Sequence, residues 1–191
     1  MGAFQRFLYG KEIYGRNHRH TLDMMYELGW DKMLLGVLVE AEDLMRLALA
    51  GEEHLAGPDQ PCAAGILKIL HGLGLTTFRQ NKFKEAEDVY RRLLPQCQEK
   101  LLGLDHNDTL ITLGQVAMTN FMEEKLEEAE GLYRRLLESR ENFLGPDHHD
   151  TLATLGTFAL TIFKQEKFEE AEGLYISSNV KRLLGPEHDT L

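Results

Sequence analysis

The chain has 191 residues, 43% of them apolar and 27% charged, with 31 acidic against 21 basic side chains and a formal charge of −10. That balance excludes a disordered segment, and an acidic surface repels phosphate backbones and anionic membranes, so neither nucleic acid nor a membrane is the expected partner. Cys62 and Cys97 build no disulfide framework and fit reduced, partly buried thiols in a cytoplasmic protein.

In chain order, residues 3–14 come first, with Phe7, Leu8 and Ile13 ahead of Gly15, and read as the tail of a second helix from a preceding unit. Four copies of one skeleton follow. Each has an apolar-x-x-apolar-small run, then twelve residues from the small residue to an alanine, then Ala-Glu-x-x-(Tyr/Met). The copies are Met25-x-x-Leu28-Gly29 with Ala41 and Met45; Leu70-x-x-Leu73-Gly74 with Ala86 and Tyr90; Leu113-x-x-Val116-Ala117 with Ala129 and Tyr133; and Leu155-x-x-Phe158-Ala159 with Ala171 and Tyr175. Two helices cross closely only where side chains are small, which gives the paired Gly or Ala its meaning.

The spacing predicts helices over 21–34 and 37–54, 62–80 and 83–101, 109–122 and 126–143, and 151–164 and 168–183. Gly57-Pro58, Gly145-Pro146 and Gly185-Pro186 are helix-stop signals that divide the pairs. Periodicity is best seen from Leu126 to Phe143, where Ala129, Leu132, Tyr133, Leu136 and Leu137 share one face and Glu127, Arg134 and Glu138 the other. Asp108 and Asp150 precede first helices and are expected to cap them, at about 1 kcal/mol each. The pairs Glu42–Arg46, Glu87–Arg91 and Glu130–Arg134 read as exposed surface pairs of about 0.2–0.5 kcal/mol, and Arg91-Arg92 and Arg134-Arg135 as solvated faces. The fourth copy departs after Tyr175, and Ala171 to Gly185 spans fourteen residues instead of the sixteen of the third copy.

A helix pair repeated at a period in the low forties means a stacked solenoid, whose default function is a binding surface. Motifs for catalysis are missing: there is no H-E-x-x-H, G-x-S-x-G, P-loop or paired Cys-x-x-Cys, and Gly72-Leu73-Gly74 lies in a helix pattern. His106 and His148, beside Asp105 and Asp147, supply too few ligands for a metal and read as hydrogen-bonded linker residues that fix the turn. No cofactor is expected.

These residues resemble the tetratricopeptide repeat (TPR), and the linkers sharpen the match. Leu144-Gly145-Pro146-Asp147-His148-His149-Asp150-Thr151-Leu152 and Leu102-Gly103-Leu104-Asp105-His106-Asn107-Asp108-Thr109-Leu110 look like the kinesin-light-chain type, and Gly145 follows Gly103 by 42 residues. The resemblance implies an all-α, right-handed α-solenoid of antiparallel helix pairs. It sets one TPR array over 1–191, with repeats at 15–56, 57–102, 103–144 and 145–184 and a fifth opening at 185–191.

It also implies a concave groove lined by first helices. Carried over by register, the groove holds Tyr26, Trp30, Lys68, His71, Phe78 and Arg79 in the first half. The second half contributes Met118, Phe121, Met122, Phe163 and Lys164. The recurrent Phe78, Phe121 and Phe163 either face this groove or pack inside the repeat, one residue after Thr77, Asn120 and Ile162. Where kinesin light chains carry an Asn-Asn pair, this chain has Tyr26-Glu27, His71-Gly72, Gly114-Gln115 and Gly156-Thr157, so that mode of acidic-peptide recognition is not carried over. The expected function is a non-catalytic scaffold binding a peptide or helical segment of a protein partner. The rival is a sensor or autoinhibitory arm contacting an NTPase or hydrolase domain of a longer parent chain.

Overall fold

A computed structural model describes residues 3–15, 17–57, 64–94, 103 and 106–184, without the side chains of 3, 4, 6, 7, 9 and 177–184. Cys62, Cys97, the expected start of one helix at 62–63, the expected helical stretch 95–101 and the fifth linker at 185–191 lie outside the described residues. The described elements are all helices: α1 (Ala3–Tyr14), α2 (Arg19–Leu34), α3 (Leu38–Ala56), α4 (Ala64–Arg79), α5 (Phe83–Leu93), α6 (Asn107–Met122), α7 (Leu126–Leu144), α8 (His149–Lys164) and α9 (Phe168–Leu184).

Two compact units divide the chain, Met1–Leu101 and Leu102–Leu191. In the first, α1 packs on α2, α2 on α3, α3 on α4 and α4 on α5; in the second, α6 packs on α7, α7 on α8 and α8 on α9. Packing on sequence neighbours is the solenoid arrangement that the repeat spacing predicts. The close crossings are present. A Cβ on Gly29 would lie 3.2 Å from the Ala41 carbonyl oxygen, and one on Gly74 would lie 2.5 Å from the Tyr90 ring. Ala41, Ala86, Ala117 and Ala129 are fully buried.

Within each pair the chain reverses through three residues whose middle member is left-handed: Gly36, Asn81, Glu124 and Glu166, with φ of 80°, 61°, 61° and 63°. The next residue donates its N–H back five positions, Val37 to Lys32 at 2.9 Å and Lys125 to Asn120 at 2.9 Å. This is the Schellman closure, and it satisfies carbonyls that a helix end would leave bare. Between pairs, Gly15, Gly57, Gly103 and Gly145 also take positive φ, so the linker glycines do stop the helices.

Two expectations are corrected. The caps of α2, α6 and α8 are His18, His106 and His148, not Asp108 or Asp150; each imidazole Nδ1 accepts the backbone N–H two residues on, at 3.2 Å. The aspartates stand two residues on, inside the first turn, where the positive helix end favours them. The linker histidines thus fix the turn. Thr21 and Thr151 complete it by donating their hydroxyls to the Gly15 and Gly145 carbonyls at 2.8 Å.

The Glu–Arg pairs, in turn, are not surface decoration. Glu42 is 7% exposed and Glu87 5%. Glu42 receives Arg46 (2.7 Å), Gln80 (2.8 Å) and Lys82 (2.7 Å), the last two from the turn of the following pair. Glu130 repeats the arrangement with Arg134 (2.9 Å), Gln165 (3.0 Å) and Lys167 (2.7 Å). Each carboxylate is a polar joint between consecutive pairs. Burial, the largest single effect on Glu42, pushes its carboxyl up, but the hydrogen bonds from Lys82, Arg46 and Gln80 together bring it down to about 2. Lys167 leads the lowering at Glu130, also to about 2, against burial.

Candidate functional site

In the first unit the expected groove residues Tyr26 and Trp30 come together on α2. Their ring centroids lie 6.0 Å apart, and both pack at the edge of a core of Leu22, Met25, Met45, Ala48, Ile69 and Leu73. A cleft of about 300 Å³ opens against them, flanked by Glu27 and Asp31. Burial pushes the Tyr26 phenol up to about 12. Gly72 of α4 makes this packing possible, since a Cβ there would stand 3.0 Å from the Tyr26 ring.

Lys68 is engaged from both sides, 2.9 Å from Asp23 and 4.5 Å above the Tyr26 ring centroid, a cation–π contact. His71, one helical turn further along α4, is half-buried. Arg79 does not reach this cleft. Its guanidinium donates to the Met33 carbonyl at 3.0 Å and ties α4 to the end of α2.

In the second unit a cleft of about 230 Å³ lies between α6 and α8 and is floored by α7. Ile111, Gln115 and Met118 form one wall, Thr154 and Thr157 the other, and Tyr133 and Arg140 the floor. Gly114 stands where two helices approach, and a Cβ there would be 3.2 Å from Leu136. Burial pushes the Tyr133 phenol up to about 12, with a hydrogen bond from Thr157 acting against it, and the hydroxyl lies 3.8 Å from the Met118 sulfur. Arg140 spends one nitrogen on the Asp150 carbonyl (3.0 Å) and the Thr154 hydroxyl (2.6 Å). Burial draws its pKa downward, Asp150 opposing.

Of the expected residues here, Met118 lines the cleft, whereas Phe121, Met122, Phe163 and Lys164 lie nearer the turns. Lys164 sits 4.5 Å over the Phe121 ring centroid, and Met122, the last residue of α6, is exposed. Phe78 and Phe163 each meet the first residue of the next helix edge-on, Phe83 at 5.3 Å and Phe168 at 5.4 Å. Thr77, Asn120 and Ile162, one residue earlier, are fully buried. Phe78 and Phe163 therefore pack across the turn of their own pairs, with Phe163 still more than half exposed, while Phe121 lies under Lys164. Gln115 and Thr157, named in the sequence only as the residues standing at the Asn-Asn positions of kinesin light chains, line this cleft although they were not among the expected groove residues, and Arg140 was not foreseen at all.

Among the described residues no three His, Cys, Asp or Glu side chains gather as a metal site, and no helix is long and apolar enough to cross a membrane.

The tetratricopeptide repeat family model matches residues 65–142 and 111–178, together more than half of the chain. No curated protein matches it in sequence. Among solved structures, it is similar to a Podosopora anserina protein of kinesin-light-chain type with nearly identical TPR-like repeats, at TM-score 0.82 and 18% identity. That match covers 94% of this chain and 83% of the other, and a single-substitution form of the same protein matches equally. BtubC (BKLC) from P. vanneervenii matches at TM-score 0.75 and 16% identity, over 97% of this chain and 73% of that one. At these identities the likeness is one of fold.

Proposed function

We infer that this chain, which belongs to the tetratricopeptide repeat family, is a non-catalytic scaffold that holds an extended or helical protein segment against the first helices of its pairs. Tetratricopeptide repeats bind protein partners, and the α6–α8 cleft is the observation that carries the reading here. It is open, it has apolar walls at Ile111 and Met118, and it sets a carboxamide (Gln115) opposite a hydroxyl (Thr157). A carboxamide both donates and accepts, which suits the backbone of a bound segment, and a flexible Met adapts to its side chains. The α2 cleft would add an aromatic contact at Trp30, flanked by acids that favour a partner's basic side chain.

Selecting peptides from a random library on the intact chain and measuring the best of them by calorimetry tests this. Gln115→Ala, Met118→Ala or Trp30→Ala should each weaken binding by about 5–10-fold, the usual size for truncating a buried interface contact. Glu138→Ala, on the exposed side of α7, should leave it unchanged. Selected peptides that bind all three cleft variants as well as the unaltered chain would rule the clefts out.

A further inference from the structure

The charge on Arg140 is answered within the chain on one side only. Its guanidinium is half-buried on the floor of the α6–α8 cleft, and both of its hydrogen bonds leave from one nitrogen, Nη1. They go to the Asp150 carbonyl at 3.0 Å and the Thr154 hydroxyl at 2.6 Å, and both acceptors are neutral. Nε and Nη2 bond to nothing among the described residues. Together they form the edge of the fork that takes a carboxylate on two parallel N–H donors.

Other arginines of the chain are paired or wet. Arg46, Arg91 and Arg134 each bond a glutamate one turn back on their own helix, at 2.7, 2.6 and 2.9 Å. Arg79 meets only a carbonyl, that of Met33, but it is exposed to water. Arg140 combines partial burial with the lack of a bonded carboxylate, and a cation removed from water without an anion is costly until one arrives. The fold itself does not demand a cation at this place. Arg140 stands eleven residues after Ala129, and the residue eleven after Ala41 is Glu52. The glutamates of the joints recur from pair to pair, whereas this position carries opposite charges in α3 and α7.

The cleft around Arg140 suits an anion. None of the described residues lining it is acidic, although acids outnumber bases 31 to 21 in the chain. The Tyr133 phenol, pushed up to about 12 by burial against a hydrogen bond from Thr157, adds no negative charge at neutral pH. Gln115, whose carboxamide bonds to nothing among the described residues, supplies further N–H donors.

We propose that the α6–α8 cleft selects a protein segment carrying an aspartate or glutamate side chain, whose carboxylate docks on Nε and Nη2 of Arg140. This rests on the scaffold function inferred for the same cleft and names the chemistry of its partner. The contact needs no asparagine pair on a first helix, because the charge is delivered from a second helix at the cleft floor. A lysine or arginine brought to the same place would meet a desolvated like charge, and a neutral side chain would leave the guanidinium unpaired.

Two measurements on the unaltered chain test this. In the first, N-acetylglutamate α-amide is titrated while the Arg140 Nε–H signal is followed by NMR. The signal should move saturably, and N-acetylglutamine α-amide should leave it in place. In the second, peptides selected from a random library on the intact chain should carry an acidic residue at one fixed position. Replacing that residue by its amide should weaken binding by at least about 10-fold, as for a close charge pair. The same replacement should cost less than about 2-fold on an Arg140→Gln chain, and selection on an Arg140→Glu chain should place lysine or arginine there instead. The first two readouts stand even if Arg140→Gln, which loses the tie to α8, unfolds. The proposal is overturned if the glutamate probe does not move the Nε–H signal, or if the amide probe moves it equally. Selected peptides that depend on Gln115 and Met118 but lose nothing with their acid overturn it as well, and leave the scaffold function standing. If no peptide is selected at all, both fall.

Discussion

Gly74 and Tyr90 show how closely two side-chain choices are locked together. The Tyr90 ring is fully buried in the gap that Gly74 leaves, and a methyl added there would press into it at 2.5 Å. Gly74→Ala gains about 1 kcal/mol of helix propensity but forces a buried ring to move, and overpacking of that kind costs about 1–3 kcal/mol. The net effect should be destabilising, read as a lower urea midpoint with unchanged m-value. A midpoint that rises would mean the crossing is looser than the geometry indicates. The pairing of a small residue with an alanine twelve positions on was legible in the sequence, because that interval recurs four times, but the fit of the Tyr90 ring, four residues beyond Ala86, against Gly74 was not. The histidine caps were not. Capping statistics favour Asp, and Asp108 and Asp150 stood two residues from the true caps, His106 and His148, where nothing in one sequence separates the two. Lys68, Arg79 and Lys164 were legible as first-helix cations, but not as cations already engaged by Asp23, the Met33 carbonyl and the Phe121 ring. Periodicity gives a residue's face and says nothing of its partner.

At the scale of the element, the helix boundaries came through well because each end carries its own signal, a glycine after the second helix or a change of pattern after the first. The left-handed turn residue was missed. Gly36 marks it in the first pair, but Asn81, Glu124 and Glu166 occupy it elsewhere, and a glutamate carries no turn signature. A non-glycine residue held left-handed costs about 1 kcal/mol, less for asparagine. Glu124→Gly should therefore stabilise the second unit by up to about 0.6 kcal/mol, the part of that strain left after the extra freedom glycine gives the unfolded chain. Asn81→Gly should change little. Thermal melts of the two variants side by side check this, and a lower melting temperature for Glu124→Gly would contradict the turn geometry. Arg140 was missed for a related reason. It sits on a second helix, which the family pattern assigns to the back of the array, yet its long side chain reaches the cleft floor between α6 and α8.

For the molecule as a whole, the recurring Glu-centred joints set how stability depends on acid. Glu42 in the first unit and Glu130 in the second are both held near 2, against a usual 4.5, by lysine, arginine and glutamine partners. A carboxyl that is depressed in the fold binds fewer protons there than in the unfolded chain. Its contribution is therefore complete above about 4.5 and is lost as pH falls from 4.5 toward 2. Full shifts of this size correspond to about 3 kcal/mol each at ~1.4 kcal/mol per pH unit. Lys82 and Lys167 are 40% and 44% exposed, so solvent screening reduces that to about 1–2 kcal/mol each. A second, opposing trend comes from the net charge of −10 at neutral pH, because self-repulsion relaxes as the chain approaches its isoelectric point near 5.3. Stability should therefore hold or rise slightly from pH 7 to about 5 and then fall steeply below 4.5. Urea midpoints measured from pH 7 to 2.5 would trace this. The Glu42→Gln/Glu130→Gln double variant should start lower at pH 7 and fall less below 4.5, since its joints have no charge left to lose. If the two curves instead run parallel through the acid range, other carboxylates drive the acid transition, and the joints between pairs are held by apolar packing alone.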